Sequence, residues 1–212
     1  MIKAILFDFD GSVVDSEPLH LRSFRELLKP LGIKISKARH YSEFTGIGST
    51  AIITMLFQEH GINENVKEWV EKRKKIYQSY VLKGKLKTIS GVRKFLQFIK
   101  KRKIKTAIVS GGHSTNIKLA LEKTKLTKFF DVIIGLENVK NRKPHPEGFL
   151  LAAQRLNVKP SECIAIEDAP AGVLAAHAAK MRVVCIRSLS PVDLKKCDYT
   201  IKNYARFPME LF

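Results

Sequence analysis

The segment "IKAILFDFDGSVVDSEP", residues 2–18, decides how the rest of the chain is read. Its first six residues have the apolar character of a buried strand, and the run then ends in Asp8, Asp10, Asp15 and Glu17. Carboxylates this close repel one another and are costly to desolvate unless a cation or hydrogen-bond donors compensate. Residues i and i+2 of an extended chain point the same way, so Asp8 and Asp10 address one space.

Working outward, apolar runs recur at 105–110 ("KTAIVS"), 131–135, 163–167 and 182–186, with a weaker one at 198–201. Each reads as a buried strand. Helical patterns at 114–124, 146–157 and 170–180 alternate with them, which predicts an α/β fold, a Rossmann-like three-layer core with a parallel sheet covered on both faces. The first strand breaks the alternation, because the next begins only at 105. Helical spacing over 18–32, 49–61 and 63–82, with Gly32 and Gly61 placed as stops, fills the gap. The pattern predicts a small α-helical cap domain over 15–84, inserted into a core made of 1–14 and 85–212, with 91–103 as the helix that re-enters the core.

Composition narrows the class. A chain of 212 residues with 45% hydrophobic content can bury a core. Cysteines at 163, 185 and 197 are odd in number and lack CxxC spacing, so neither a disulfide framework nor a zinc site is expected, and a reducing cytoplasm is. Asp8 interrupts the N-terminal apolar run before it could serve as a signal peptide, and no segment has the length of a membrane span. The net charge of +18 favours anionic partners. The lysines nevertheless concentrate at 71–75, 83–87 and 100–105, which read as helix ends and loops. No aromatic interleaving accompanies them, so a solvated surface is expected and nucleic acid is disfavoured as a partner.

Ligands of open parallel sheets bind beyond the carboxyl ends of the strands. There the sequence sets Asp8 and Asp10, then Ser110-Gly111-Gly112, then Lys143 in "NRKPHPEGF", then Glu167-Asp168. An acidic, oxygen-only cluster of Asp8, Asp10 and Asp168 suits Mg²⁺ better than zinc or copper.

"DFDG" at 8–11, continuing as "VVDSEP", with Ser110 after "TAIV", Lys143 in "RKPHPEGF" and "EDAPAGVLAAHAAKM" at 167–181, resembles the haloacid dehalogenase superfamily in its β-phosphoglucomutase-like branch. The first motif with its trailing aspartate arises by chance in fewer than about 1% of chains of this length. The resemblance covers nearly the whole chain. It implies that Asp8 is a nucleophile forming an aspartyl-phosphate and that Asp10 is the acid and base. It also implies Mg²⁺ on the Asp8 carboxylate, the Asp10 carbonyl and Asp168, with Glu167 as a nearby or direct ligand. Ser110 and the N–H groups around Gly111 would bind phosphoryl oxygens, and Lys143 would neutralise charge on both the phosphoryl group and Asp8. A small phosphorylated metabolite, a sugar phosphate foremost, is the implied partner of a monomer whose cap closes over its own site.

Each residue alone has a plainer reading: Asp10-Gly11 as a turn, Ser110-Gly-Gly as a helix cap, Glu167-Asp168 as a charge pair at a helix start. Their order at successive strand ends reverses that preference. "DSEP" is expected to cap the first inserted helix through Asp15 or Ser16, and Trp69 to pack inside the cap. The histidines show no ligand spacing, though His113 is placed to border the pocket. Glu147 stands where the family's third motif carries Asp and should orient Lys143 or cap its helix. Lys180 stands where glycine is common and should adopt a left-handed conformation.

Four functions compete. A dehalogenase needs neither metal nor a leaving-group acid, against Asp10 and Asp168. A mutase of the resembled branch grips a second phosphate with an arginine in a loop matching 43–51, which has no Arg or Lys, and such mutases tend to carry a lysine where this chain has His113. A non-catalytic nucleic-acid or anion binder is supported by charge alone. The sequence therefore points to a phosphomonoester phosphatase.

Overall fold

β1 (Ala4–Phe7) is buried at all four positions, as an uninterrupted apolar run at the centre of a sheet must be. The chain then turns through residues 8–13 into the two-residue strand β2 (Val14–Asp15). The turn closes tightly because Gly11 adopts φ +82°, where a side chain is strained. This computed structural model describes residues 1–187 and 196–212. Within it the chain divides into two units, Met1–Asp15 with Leu86–Phe212, and Ser16–Lys85.

The Ser16–Lys85 unit is helical: α1 (Glu17–Leu28), α2 (Lys37–Arg39) running into a wide helical turn at His40–Phe44, α3 (Ser49–Glu59) and α4 (Val66–Leu82). Its own core includes Phe24, Leu28, Phe44, Ile53 and Leu56, with Trp69 edge-on to Phe57 as expected. Gly32 and Gly61 end helical segments at φ +71° and +62°. "DSEP" opens α1 as expected, with Pro18 in its first turn. Asp15 belongs to β2, and Ser16 takes the N-cap position without a capping bond from its side chain. Glu17 opens α1 with Oε2 2.8 Å from the buried His40 Nε2, so a tertiary pairing takes the acid that a capping reading would leave at the helix start.

In the other unit, β3 (Lys87–Thr88) pairs antiparallel with β2, setting Val14 opposite Thr88. There follow α5 (Val92–Lys101), β4 (Lys105–Val109), α6 (Ser114–Lys123), β5 (Val132–Ile134), α7 (Glu147–Arg155), β6 (Cys163–Glu167), α8 (Pro170–Ala178), β7 (Arg182–Ile186) and β8 (Tyr199–Ile201). The six-stranded sheet has the order β5-β4-β1-β6-β7-β8, parallel throughout. Alternation along β1 sorts its side chains between layers. Ala4 and Leu6 join Phe149, Ala153 and Ala176 of α7 and α8, whereas Phe7 meets Phe95 of α5 with ring centroids 6.3 Å apart. Lys180 closes α8 at φ +61°, as its position predicted, at a cost of about 1 kcal/mol.

The cysteines correct the sequence reading. Cys185 of β7 and Cys197 form a disulfide with Cα atoms 5.8 Å apart, and only Cys163 is unpaired. Spacing gave no hint of it because the pair is made when β8 aligns beside β7, Val184 in register with Tyr199, bringing the segment just before β8 against Cys185. No helix among the described residues is long and apolar enough to cross a membrane.

Candidate active site

β1 lies between β4 and β6, with Phe7 in register with Ile108 and Ile166. This register carries the polar residues that follow the three strands to one edge of the sheet, the position where open parallel sheets bind ligands. Asp8 is nearly buried and its N–H donates to the Ile166 carbonyl at 2.8 Å. Asp8, Glu167 and Asp168 each offer a carboxylate oxygen, and these oxygens lie within 4.8 Å of one another.

Lys143 holds this group together. Its Nζ donates to Asp8 Oδ1 at 2.6 Å, to Glu167 Oε1 at 2.6 Å and to the Val109 carbonyl at 2.8 Å. Desolvation alone would lower the lysine, but Asp8 and Glu167 outweigh it and hold the ammonium well above its ordinary pKa. Burial pushes the Asp8 carboxyl in the other direction, well above the usual carboxylate range. Lys143 opposes this and the charges of Glu167 and Asp168 reinforce it. With one ammonium against three carboxyl groups, ionisation of all three would leave a net negative charge that a divalent cation would offset. All three donors are oxygen, so the residues present fit a hard cation such as Mg²⁺.

Two glycines permit this crowding. A Cβ on Gly11 would fall inside the Asp168 carboxylate, and one on Gly172 inside the Glu167 carboxylate. The sequence reading did not single them out as site residues. Their signal was available, since each follows an acidic motif residue within five positions. Glu167 is fully buried, with Oε1 on Lys143 and Oε2 3.2 Å from the Asp168 N–H. Its geometry makes it the partner of Lys143 as well as a member of the acidic group.

The Asp10 carboxylate is not part of that group. It faces the loop after β4, with Oδ2 4.0 Å from the point where Gly112 would carry a Cβ. Ser110 is buried, and its Oγ accepts from the Gly112 N–H at 3.0 Å. Gly111 is exposed with open space beside its Cα. The loop is anchored from β5: the Leu136 N–H donates to the Gly112 carbonyl at 2.9 Å, and Glu137 accepts from the Ser114 N–H and hydroxyl. His113 Nδ1 lies 3.4 Å from Glu137. Glu147 does not reach Lys143. It accepts from the N–H groups of Lys140 and Asn141 at 2.8 and 2.9 Å and so pins the loop that leads to the lysine.

The chain matches the haloacid dehalogenase-like hydrolase family over residues 5–186. It belongs to that family. It lies in the β-phosphoglucomutase-like branch, as the motifs implied, and is a phosphatase of that superfamily. It is similar to the phosphorylated carbohydrates phosphatase of Thermotoga maritima, with 33% identity covering 84% of this chain and 82% of the relative. It is also similar to the fructose-1-phosphate phosphatase of Escherichia coli strain K12, with 28% identity covering 87% and 96%. Among solved structures it resembles β-phosphoglucomutase from Clostridium difficile, with a TM-score of 0.83, 28% identity, and coverage of 99% of this chain and 95% of the other.

Proposed function

We propose that this chain is a Mg²⁺-dependent phosphomonoester phosphatase acting on a small sugar phosphate through an aspartyl-phosphate. The observation that carries the reading is the Lys143 ammonium bonded to both Asp8 and Glu167 beside a net-negative, oxygen-only cluster. The relatives' names, a phosphorylated carbohydrates phosphatase and a fructose-1-phosphate phosphatase, support the substrate class.

In this reading an Asp8 oxygen attacks phosphorus, and the bond from phosphorus to the sugar oxygen breaks. Asp10 gives its proton to the departing oxygen, so the alcohol leaves neutral. Asp10, now anionic, takes a proton from water as the water oxygen attacks the same phosphorus, and the Asp8 oxygen is expelled as carboxylate. Inorganic phosphate leaves with Asp8 and Asp10 in their starting states. Lys143 and the Ser110 hydroxyl stabilise charge on the phosphoryl oxygens. The Asp8 and Asp168 carboxylates and the Asp10 carbonyl, with Glu167 nearby or as a direct ligand, would hold Mg²⁺, which would supply the positive charge that lets an anionic nucleophile approach an anionic phosphate. The Ser16–Lys85 unit serves as the cap. The enzyme works as a monomer in the cytoplasm, where the Cys185–Cys197 bond would be exposed to reduction.

A mutase is the second reading, favoured by the likeness to β-phosphoglucomutase. The lack of Arg or Lys over residues 43–51 weighs against it, because a bisphosphate intermediate needs a second anion grip. Phosphate release is measured from a panel of sugar phosphates with Mg²⁺ and with EDTA, for wild type and Asp8→Asn. Mg²⁺-dependent release abolished by the substitution is the expected result. Hexose 6-phosphate formed from hexose 1-phosphate without phosphate release overturns the phosphatase in favour of the mutase. Salt-sensitive DNA binding without turnover would favour a binder.

A further inference from the structure

The turn that carries Asp10 is held by few backbone bonds. The N–H groups of Val13 and Val14 donate to the Phe9 carbonyl at 2.9 and 3.1 Å, and that of Gly11 to the Val14 carbonyl at 2.8 Å. The Val13 carbonyl accepts from the Ile89 N–H at 3.0 Å. The carbonyl of Ser12, a residue fully buried, is met from the far end of the chain, where the Tyr204 hydroxyl donates to it at 2.9 Å. Ser12 Oγ has no hydrogen-bond partner among the described residues, so Ser12 holds the turn through its backbone.

Tyr204 is fixed by its surroundings. It is buried and begins a short helical turn, Tyr204–Arg206, that Asn203 caps by accepting from the Ala205 N–H at 3.1 Å. Its ring stacks on Phe95 at 5.1 Å between centroids and tilts against Phe7, the residue before Asp8, at 6.3 Å. Its N–H donates to the Ser90 carbonyl. Gly91, at φ +82°, lets this turn approach, since a Cβ there would lie 3.3 Å from both Ala205 N and Tyr204 Cβ. The ring position is thus set by the core, and the hydroxyl reaches the turn that carries Asp10. Burial, with the charges of Asp8 and Asp168, keeps the phenol protonated and therefore a donor.

We propose that Tyr204 is a positioning residue of the active site: by holding the Ser12 carbonyl, its hydroxyl fixes the turn that aims Asp10 at the leaving oxygen. The proposal rests on the phosphatase reading. Tyr204 lies beyond residue 186, where the family match ends, so the matched motifs give no hint of it. Misplacing a catalytic group by about 1 Å can cost on the order of 100-fold in rate, so one hydrogen bond to the turn is enough to matter.

Tyr204→Phe removes the hydroxyl and keeps the ring stack. A sugar phosphate has an alkoxide leaving group that must be protonated, whereas p-nitrophenolate leaves without help. Comparing kcat/KM on the two substrates therefore isolates Asp10 as acid. The expected result is a loss of about tenfold or more on the sugar phosphate, against less than about threefold on p-nitrophenyl phosphate. Amide hydrogen exchange, followed in parallel, should quicken over residues 9–14 and stay unchanged in β4 and β6. Equal losses on the two substrates, no loss on either, or faster exchange across the whole core would overturn the proposal. Should the wild type turn over neither substrate, the phosphatase reading fails and exchange over residues 9–14 alone judges the hold of Tyr204 on the turn.

Discussion

Asp8 and Lys143 are 135 residues apart in sequence, and their side chains meet at 2.6 Å. The same ammonium serves Glu167, so losing it strands two buried carboxylates. Lys143→Met should lower kcat by about 10²–10³. It should also destabilise the fold by about 3–5 kcal/mol, since breaking a buried pair leaves an uncompensated charge. Lys143→Arg should not restore activity, because a planar fork cannot replace one point charge shared by three acceptors. Steady-state kinetics with urea unfolding of the three proteins checks both parts.

Gly172 sits inside α8, where alanine would ordinarily stabilise a helix by up to about 1 kcal/mol. Here the added methyl would overlap the Glu167 carboxylate and force it off Lys143. Gly172→Ala should therefore destabilise by about 1–3 kcal/mol and lower turnover, reversing the sign that helix propensity gives. A stability gain measured by thermal unfolding would refute this account of the close approach.

The Cys185–Cys197 bond spans a separation of 12 residues, and a loop of that size constrains the unfolded chain by about 2–4 kcal/mol. Reduction, or Cys197→Ser, should lower the melting temperature and leave kcat within about twofold, since neither sulfur belongs to the acidic cluster. Cys163 should resist alkylation at pH 8 in the folded protein, because burial pushes its thiol up to about 12. Thiol counting before and after reduction, with mass spectrometry to assign the label, tests all three statements.

Asp131 ties β4 to β5. Its Oδ2 accepts from the Thr106 N–H at 2.8 Å, and Lys100 lies 3.0 Å from Oδ1. Partial burial would raise this carboxyl, but the bonds from Lys100 and Thr106 hold it below the usual range. A lowered folded value means that the stabilisation is fully present above the unfolded pKa of about 3.9 and is lost as pH falls through the folded value. The gap in stability between wild type and Asp131→Asn should be constant from pH 7 to about 5 and close below about pH 4. With the lysine half exposed, it should be on the order of 1 kcal/mol. Urea titrations across that range would expose an error if the gap instead widened in acid.

Much of the sheet was legible because strand periodicity is local. "AILF", "KTAIV", "CIAIE" and "RVVCI" each show an apolar run that cannot face water, and the structure places a strand on every one. The two-residue strands β2 and β3 were not legible, since such short segments carry no period and exist only because each finds the other. The choice between Asp15 and Ser16 as cap was not legible for the same reason: Ser16 takes the N-cap position, while Asp15 stands in space opposite Lys87.

By itself the sequence determined which chemical groups the strand ends would carry: Asp8 and Asp10 after the first, Ser110 after the second, Glu167 and Asp168 after the "CIAI" strand. Apolar periodicity and motif order are properties of a few neighbouring residues, so they survive without coordinates. The tertiary structure alone decided that Glu167 would share the Lys143 ammonium with Asp8, that Gly172 would let that carboxylate lie against α8, that Cys185 would find Cys197, and that Tyr204 would reach Ser12 across 192 residues. These contacts depend on the register of parallel strands and on how closely the layers pack, and neither is written in the local pattern of any one segment.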